Sequence, residues 1–493
     1  MITDTERQAS PWPKRLFWAL LVLKLLGLVV YGPMTQPDTG GYIGIGALLW
    51  ETTDWVHDAG IDRYAVPPTI FRTLGYPAFV GGMIKLFGNA VGGYVVILAQ
   101  IGLSMCATVW VYRLGRAMSK SWKQALIAAA GQALSIGFAY DQHILTDSSF
   151  NSLFLISFCW PLTRLLERKP ATAKQLLALG LVYMLACSIR GIGVYFWTLI
   201  LPGVFIWIFQ DGFSDMGTKI KHGLAYLLLP VALISGTMAW NYHRTGYAVY
   251  CTGAQLVLIQ AIMNIGKRGD DLFTTDQLID RVAREKITDY GYKDVQAITY
   301  ALFNEHGVNA IESAELHKAK FFQVLRDHPG KMLYHGIREY EEGLAHQFFD
   351  VGDNARAYFK YAAHAWSGKG MKKTWRRFRE NPNLPDGLYV FGLSPLRVLA
   401  WFCLVVFILG PPIILGLGLR RGTALQKGAW RENGTLIYLW GIYFAYTYGL
   451  CVVHMVDRFM PAVLAAGLIP VLHTFKTIRD WRRERRRLEH VHA

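Results

Sequence analysis

Long apolar runs alternate with short polar segments along most of this 493-residue chain. A helix needs about 20 apolar residues to cross the hydrocarbon core of a bilayer. Runs that reach or approach this length predict spans at about 16–31, 94–112, 124–140, 148–165, 224–240, 396–417, 436–453 and 461–473. The run 176–209 is too long for one crossing and is interrupted at 188–193, so it predicts two more. The pattern therefore predicts an all-α polytopic membrane protein of about ten transmembrane helices.

Two polar regions divide this pattern into parts. The first outer loop, 34–93, contains short apolar, Gly-marked stretches, and we expect interfacial helices there. Residues 242–393 are polar with amphipathic stretches such as 314–340, and they predict a mostly helical, membrane-associated extracytoplasmic domain. The predicted parts are an N-terminal transmembrane module (1–241), this domain (242–393), C-terminal transmembrane helices (394–476) and a basic cytoplasmic tail (477–493).

Charge fixes the predicted orientation. The net charge is +16, although only 17% of the residues are charged. Much of the positive charge falls in blocks at alternate connections between the apolar runs, as the positive-inside bias produces. Both termini are therefore expected in the cytoplasm. No recognition motif accompanies the basic residues, which argues against nucleic acid as a partner.

Acidic residues lie at the opposite, outer ends of the predicted spans. Asp38 stands between Pro37, which restricts the backbone, and Gly40 and Gly41, which let a substrate approach closely. A carboxylate is costly beside a membrane span, which favours a catalytic role. The alternative is that Asp38 caps the helix that follows it. Asp147 could cap the next span in the same way, and Asp141 and His143 could simply be solvated.

Cations accompany these acids at the outer ends. Arg190 and Arg458 could bind a phosphate at the interface; the alternatives are a snorkelling Arg190 and an Arg458 paired only with Asp457. A carboxylate base near phosphate-binding cations is what a transferase with a lipid-linked phosphate donor requires. No nucleotide-binding loop, zinc motif or nucleophile elbow occurs in a persuasive context.

The order of the motifs resembles the GT-C superfamily of integral-membrane glycosyltransferases, in particular the branch related to protein mannosyltransferases and aminoarabinose transferases. The motifs are Pro37-Asp-Thr-Gly-Gly-Tyr42, Phe71-Arg-Thr-Leu-Gly-Tyr-Pro-Ala-Phe79, Lys85-Leu-Phe-Gly88, Ile144-Leu-Thr-Asp-Ser148, Ser188-Ile-Arg-Gly-Ile-Gly193, Trp240-Asn-Tyr-His-Arg-Thr-Gly246, Asp327-His-Pro329 and the segment 454–461. The resemblance implies a GT-C-like helical bundle, a polyprenyl-phosphate-linked sugar donor, transfer outside the membrane and an inverting mechanism.

The resemblance also implies roles for single residues. The first-loop acid of the family maps onto Asp38, the expected base. Asp147 stands where the family often has a glutamate, and with Asp141 it is expected to position acceptor or donor. The remaining expected substrate-binding residues are Tyr42, Arg72, His143, Arg190, His454 and Arg458. Some branches carry paired acids in the first loop, whereas Thr39 follows Asp38 here; a divalent cation stays an open alternative, and no other cofactor is indicated.

The sequence thus predicts a glycosyltransferase of the bacterial inner membrane whose partners are the lipid-linked donor, membrane lipid and a glycan, lipid or protein acceptor. A transporter or flippase for a lipid-linked or polar substrate is the alternative. It would require charged residues near the middle of the membrane and repeated broken helices. A non-catalytic relative that keeps the fold is a third reading.

Overall fold

The structure, a computed structural model, describes residues 11–51, 68–135, 137–210, 215–253, 257–267, 269–291, 295–347, 376, 379–382, 394–420, 429–453 and 457–492. These residues form eighteen α-helices, one 3₁₀ helix and an isolated parallel bridge between Met34 and His143, with no strand. The all-helical fold predicted from the sequence is confirmed.

The helices of the first half are α1 (Trp12–Tyr31), α2 (Pro37–Glu51), α3 (Pro68–Phe71), α4 (Gly75–Ser119), α5 (Trp122–Ala133), α6 (Gly137–Tyr140), α7 (Thr146–Leu166), α8 (Ala173–Ile189), α9 (Ile192–Phe209) and α10 (Met216–Thr245). The second half contains α11 (Leu258–Gly266), α12 (Leu278–Tyr290), α13 (Val295–Asn304), α14 (Ala310–Asp327), α15 (Pro329–Gln347), α16 (Ser394–Arg420), α17 (Ala429–Val453), the 3₁₀ helix Asp457–Ala462 and α18 (Leu464–His492). Every predicted span overlaps one of these helices.

Four described helices are long and apolar enough to cross a membrane by length and composition. They are α4, α9, α10 and the stretch Trp430–Val452 of α17, and Ala173–Ile189 and Phe402–Gly416 are shorter apolar helices. Large apolar side chains also stay exposed on the outside of the bundle, among them Trp18, Val22, Val29, Leu224 and Leu228. Exposed apolar surface of this kind is suited to contact with lipid.

The helix α7 lies in the interior and contains more polar residues than a lipid-facing span would tolerate. Nearly all its side chains are buried, including Ser148, Asn151, Ser152 and Ser157. It packs against α4, α8 and α9 in the largest hydrophobic core of the described chain. Because protein surrounds it, its polar side chains can be paired inside the bundle.

The first outer loop contains a sharp break within α4. Gly88 interrupts α4 with φ 77° and ψ 164°, values that favour glycine, and so separates a segment 75–87 from the long helix 89–119. Just beyond the break, a Cβ on Gly92 would lie 2.7 Å from the Cα of Ile84. The two segments therefore pack closely, and 75–87 forms a short helical segment within the first outer loop, where helices are expected.

A second close approach brings α2 onto α4. A Cβ on Gly46 would lie 2.6 Å from the carbonyl oxygen of Pro77 and 2.9 Å from the Cα of Gly81. Small residues at such a crossing let two backbones touch, as in small-xxx-small packing of membrane helices. The crossing holds the first turns of α2, which carry Asp38 and Tyr42, beside the start of α4.

The helices α11 to α15 form a small core of their own, and α15 packs against the end of α17. The core formed by α11 to α15 includes Ile262, Phe273, Ile298 and Phe321. The Tyr448 hydroxyl of α17 donates to the Leu333 carbonyl oxygen at 3.1 Å. The described residues of 242–393 are thus mostly helical, as predicted. Most of 348–393 lies outside the described residues.

The α2–α4 crossing makes a direct prediction. We expect Gly46→Ala to lower the free energy of unfolding by about 1–3 kcal/mol, because the new methyl group overlaps the α4 backbone. The matched control is Gly44→Ala on the same helix, where an added Cβ meets nothing within 4 Å. Thermal unfolding in detergent compares the two variants, and equal midpoints would show that the crossing is looser than described.

Candidate active site

Asp38 pairs with Arg72 at the crossing of α2 and α4. Arg72, between α3 and α4, donates from Nη2 to Asp38 Oδ1 at 2.9 Å, and its guanidinium lies 4.4 Å from the centre of the Tyr42 ring. The Asp38 side chain is 37% exposed. Helix α2 begins at Pro37, so Asp38 lies inside the first turn and does not precede it as a cap would.

Tyr42 connects this pair to the start of α7. Its hydroxyl shares a hydrogen bond of 3.2 Å with Thr146 Oγ1, and its ring lies edge-on to that of Tyr76 with centroids 5.1 Å apart. Thr39 Oγ1 also donates to the Ile144 carbonyl oxygen at 3.0 Å. The first outer loop and the Ile144–Ser148 motif, far apart in sequence, therefore meet.

Asp147, the residue after Thr146, is buried and pairs with Arg190. Arg190 Nη1 donates to Asp147 Oδ1 at 2.5 Å, and the Asp147 side chain is only 2% exposed. Arg190 follows α8 directly and lies 5.9 Å from the ring of Phe150. The capping reading of Asp147 is incomplete, since Leu145 occupies the cap position and the carboxylate is paired with Arg190, which follows α8.

Asp141 takes part in a third ion pair, deeper in the bundle. Its Oδ2 pairs with Lys24 Nζ of α1, and its Oδ1 accepts from Ser148 Oγ at 2.5 Å. Both members of the pair are buried. Asp141 is therefore not solvated, and through Ser148 it holds the first turn of α7.

Lys24 is the residue that the sequence reasoning missed. Its signal was a lone lysine inside an otherwise apolar predicted span, where an uncompensated ammonium would be expensive. Its partner could not be read from the sequence, because 117 positions separate Lys24 from Asp141.

His143 is also buried, between α6 and α7. Its Nδ1–H donates to the Ala139 carbonyl oxygen at 2.9 Å, and its own carbonyl oxygen accepts from Gln100 Nε2 at 2.9 Å. Burial lowers the pKa of the imidazole, although the Ala139 hydrogen bond and the nearby Asp147 carboxylate oppose this shift. A neutral imidazole can line a site, but it is not a cation for phosphate at neutral pH.

The two remaining predicted residues come from the segment before α18. His454 lies outside the described residues, and of Arg458 only the backbone is described, within the 3₁₀ helix. That helix packs against α7 and against α6, and the Pro461 carbonyl oxygen accepts from Gln132 Nε2 at 2.9 Å. The roles of His454 and Arg458 stay predictions.

The described structure thus brings seven of the nine predicted site residues into one region, where three acids each pair with a cation. Within the described ranges, no three His, Cys, Asp or Glu side chains come together as a metal-binding group. Chemically, the arrangement offers one partly exposed carboxylate, Asp38, which is paired with the Arg72 guanidinium, and a second guanidinium, that of Arg190, which is paired with Asp147.

Comparison with protein-family models and with curated proteins finds no match. Among solved structures, the chain is similar to the crystal structure of ArnT from Cupriavidus metallidurans bound to undecaprenyl phosphate. The likeness covers 92% of this chain and 85% of that one, at 14% identity and a TM-score of 0.35. A likeness this distant assigns no role to any residue of this chain.

The buried Lys24–Asp141 pair makes a prediction about stability. We expect Lys24→Met to lower the free energy of unfolding by about 3–5 kcal/mol, because it leaves the Asp141 carboxylate buried without its cation. The double variant Lys24→Met/Asp141→Asn should recover much of this loss. Thermal unfolding in detergent measures it.

The control for this pair is Lys120→Met, which removes an exposed partner of Glu432 and should change the midpoint little. An unaltered midpoint for Lys24→Met, or a double variant no better than the single one, would contradict the pairing.

His143 predicts a dependence of stability on pH. Its pKa in the folded state is lower than the unfolded value of about 6.5, so the unfolded chain takes up a proton first as the pH falls. His143 therefore favours unfolding below about pH 6.5 and contributes nothing above about pH 7.5. We expect His143→Gln to flatten the pH dependence of the unfolding midpoint on the acid side. The control is His306→Gln, a change at an exposed position. Parallel curves of unfolding midpoint against pH for wild type and His143→Gln would contradict the prediction.

Proposed function

We propose that the chain is a membrane glycosyltransferase that transfers a sugar from a polyprenyl-phosphate-linked donor to an acceptor on the extracytoplasmic side, with inversion. The observation that supports this is the meeting of Asp38, Arg72 and Tyr42 with the Asp147–Arg190 pair through the Tyr42–Thr146 hydrogen bond. It combines a partly exposed carboxylate with two guanidinium groups in one region. A transfer that releases a lipid phosphate needs both kinds of group.

Asp38 serves as the base. Its carboxylate takes the proton of the acceptor hydroxyl while the acceptor oxygen attacks the anomeric carbon of the sugar. The bond from that carbon to the phosphate oxygen breaks, and the lipid phosphate leaves with the bonding electrons. A single displacement of this kind inverts the anomeric carbon. Asp38 suits the role because its side chain is 37% exposed, whereas those of Asp147 and Asp141 are 2% and 3% exposed.

The two arginines hold the phosphate. A guanidinium carries five N–H donors in a planar fork, so it can serve a carboxylate and a phosphate together. Arg72 offers Nη2 to Asp38, and Arg190 offers Nη1 to Asp147. In this proposal each acid orients the arginine with which it pairs. Arg72 also holds the leaving phosphate close to Asp38, the base. Tyr42 and His143 complete the described lining, and Arg458 and His454 keep the substrate-binding roles that the sequence predicts for them.

Asp141 has a different role from the other two acids. Its carboxylate is engaged by Lys24 and Ser148, so we assign it to holding α7 and not to contact with a substrate. The remaining parts of the proposal are a bacterial inner membrane location, an outward-facing site, a glycan, lipid or protein acceptor, and a divalent cation as an open alternative. The outer domain 242–393 would then lie on the same side as the site.

One observation favours the alternative of a transporter. Lys24 stands seven residues before the end of α1 at Tyr31, which places the Lys24–Asp141 pair about 10 Å along the helix from that end. Charge pairs at depth in a membrane mark substrate or ion pathways in many transporters. A transporter would move the lipid-linked sugar across vesicle membranes with its phosphate bond intact.

The transfer assay tests the base. We expect Asp38→Asn to lower transfer from polyprenyl-phosphate sugars by at least about 100-fold, because an amide cannot accept the acceptor proton. Purified protein in lipid is incubated with radiolabelled donors, and free and transferred sugar are separated. Asp276→Asn, at an exposed position in the described outer segment, is the control.

Equal turnover by Asp38→Asn and wild type would remove Asp38 from the mechanism. Movement of intact donor across vesicles, without sugar release by either protein, would replace the transferase with the transporter.

A further inference from the structure

The two arginines proposed to hold the phosphate both lie in breaks between helices. Arg72 lies between α3 and α4, and Arg190 lies between α8 and α9. Arg72 lies in no described helix, and Arg190 is held at the end of α8 through its N–H, which donates to the Ala186 carbonyl oxygen at 3.0 Å. The positions of both residues therefore also depend on the segments that pack against the two breaks. The segment 249–253, which follows α10, packs against both; we call it the strap.

On one side the strap contacts the break that carries Arg72. The Thr252 N–H donates to the Ile70 carbonyl oxygen at 3.0 Å, and Thr252 is fully buried. Gly253 lies so close that an added Cβ would be 2.6 Å from the Phe71 carbonyl oxygen. These contacts hold the two residues that immediately precede Arg72.

On the other side the strap contacts the break that carries Arg190. The Tyr250 hydroxyl donates to the Cys187 carbonyl oxygen at 2.9 Å. The Cys251 sulfur packs against Gly191, where an added Cβ would overlap it. Four consecutive residues of the strap therefore touch the chain on either side of the site.

The end of α10 anchors the strap. Asn241 Nδ2 donates to the Val249 carbonyl oxygen at 2.7 Å, and its Oδ1 accepts from Arg244 Nη2 at 2.6 Å. Arg244 also donates to Thr69 Oγ1 at 2.9 Å and lies 3.7 Å from the Trp240 ring centre. This network explains why polar residues stand in the Trp240–Gly246 motif.

We propose that the strap sets the spacing of Arg72 and Arg190, and so positions both guanidinium groups on the phosphate of a polyprenyl-phosphate ligand. The identity of that ligand rests on the proposed function; the spacing does not. Because Arg72 and Arg190 touch the phosphate and the strap touches only their backbone neighbours, the strap is a positioning element. A shift of either break weakens one of the two charge-assisted contacts.

Binding of undecaprenyl phosphate to the full chain in lipid nanodiscs tests this. We expect Gly253→Ala to weaken binding about tenfold, the equivalent of about one weakened charge-assisted hydrogen bond. In an Arg72→Ala background the same change should cause no further loss, because it acts through Arg72. The matched control is Gly236→Ala on α10, where an added Cβ meets nothing within 4 Å.

The other side of the strap gives a parallel test. Tyr250→Phe removes the hydrogen bond to Cys187 and should weaken binding in the wild type but not in an Arg190→Ala background. Tyr242→Phe, at an exposed position on α10, is its control. Additive losses in both arginine backgrounds would overturn the proposal, because a purely structural defect lowers binding whether or not the arginine is present.

Hydrogen–deuterium exchange tests, without any ligand, whether the strap holds the two breaks. We expect faster exchange in 68–74 for Gly253→Ala and in 187–193 for Tyr250→Phe, with unaltered exchange in α4 beyond Gly88. Unaltered exchange in both peptides would overturn the proposal. A wild type that binds no polyprenyl phosphate would contradict the proposed function, and the exchange data would then still decide whether the strap holds the two breaks.

Discussion

Burial of charge is the constraint on which the site depends. A carboxylate or a cation inside a helical membrane bundle is tolerated when it has a partner of opposite charge and good hydrogen bonds. Asp141 pairs with Lys24, Asp147 with Arg190 and Asp38 with Arg72. Each pair joins elements distant in sequence, so satisfying the charges also fixes α1, α2, α4, α7 and α8 relative to one another. The ion pairs that offset the cost of burying these charges therefore also assemble the site.

Backbone approach is the second requirement, because short polar side chains reach a partner only when helices come close. Gly46 and Gly81 let α2 touch α4, which places the Tyr42 ring under Arg72 and its hydroxyl at Thr146. Gly253 likewise lets the strap approach the Phe71 carbonyl oxygen. Close packing without cavities is the normal state of protein interiors, so a side chain added at such a point has to displace backbone. Glycines outside the ion pairs thus allow the close contacts that bring Tyr42 to Arg72 and the strap to Phe71.

Helices and candidate acids could be predicted from the sequence, whereas their pairing could not. Apolar run length indicated where α1, α8, α9 and α10 lie, because that property is local. The motif residues Asp38, Asp147 and Arg190 were identifiable as charges at span ends. Lys24 was missed because the cost of burying it depends on a partner 117 positions away. The depth of Asp141, and the strap's contact with both breaks, are likewise tertiary properties that no local pattern carries.

The exposure of the three acids separates their chemical roles. A general base must reach a hydroxyl from outside and change its protonation during turnover. Asp141 and Asp147 are almost fully buried, which keeps them from an acceptor hydroxyl, and protonating Asp141 would leave the buried Lys24 without its partner, at a cost of several kcal/mol. In the proposed mechanism Asp38 avoids this cost, because its pair with Arg72 is partly exposed and the arriving phosphate supplies Arg72 with a second anion. When Asp38 takes up the acceptor proton in that mechanism, the leaving phosphate replaces it as the partner of Arg72, and the charge of the site stays balanced.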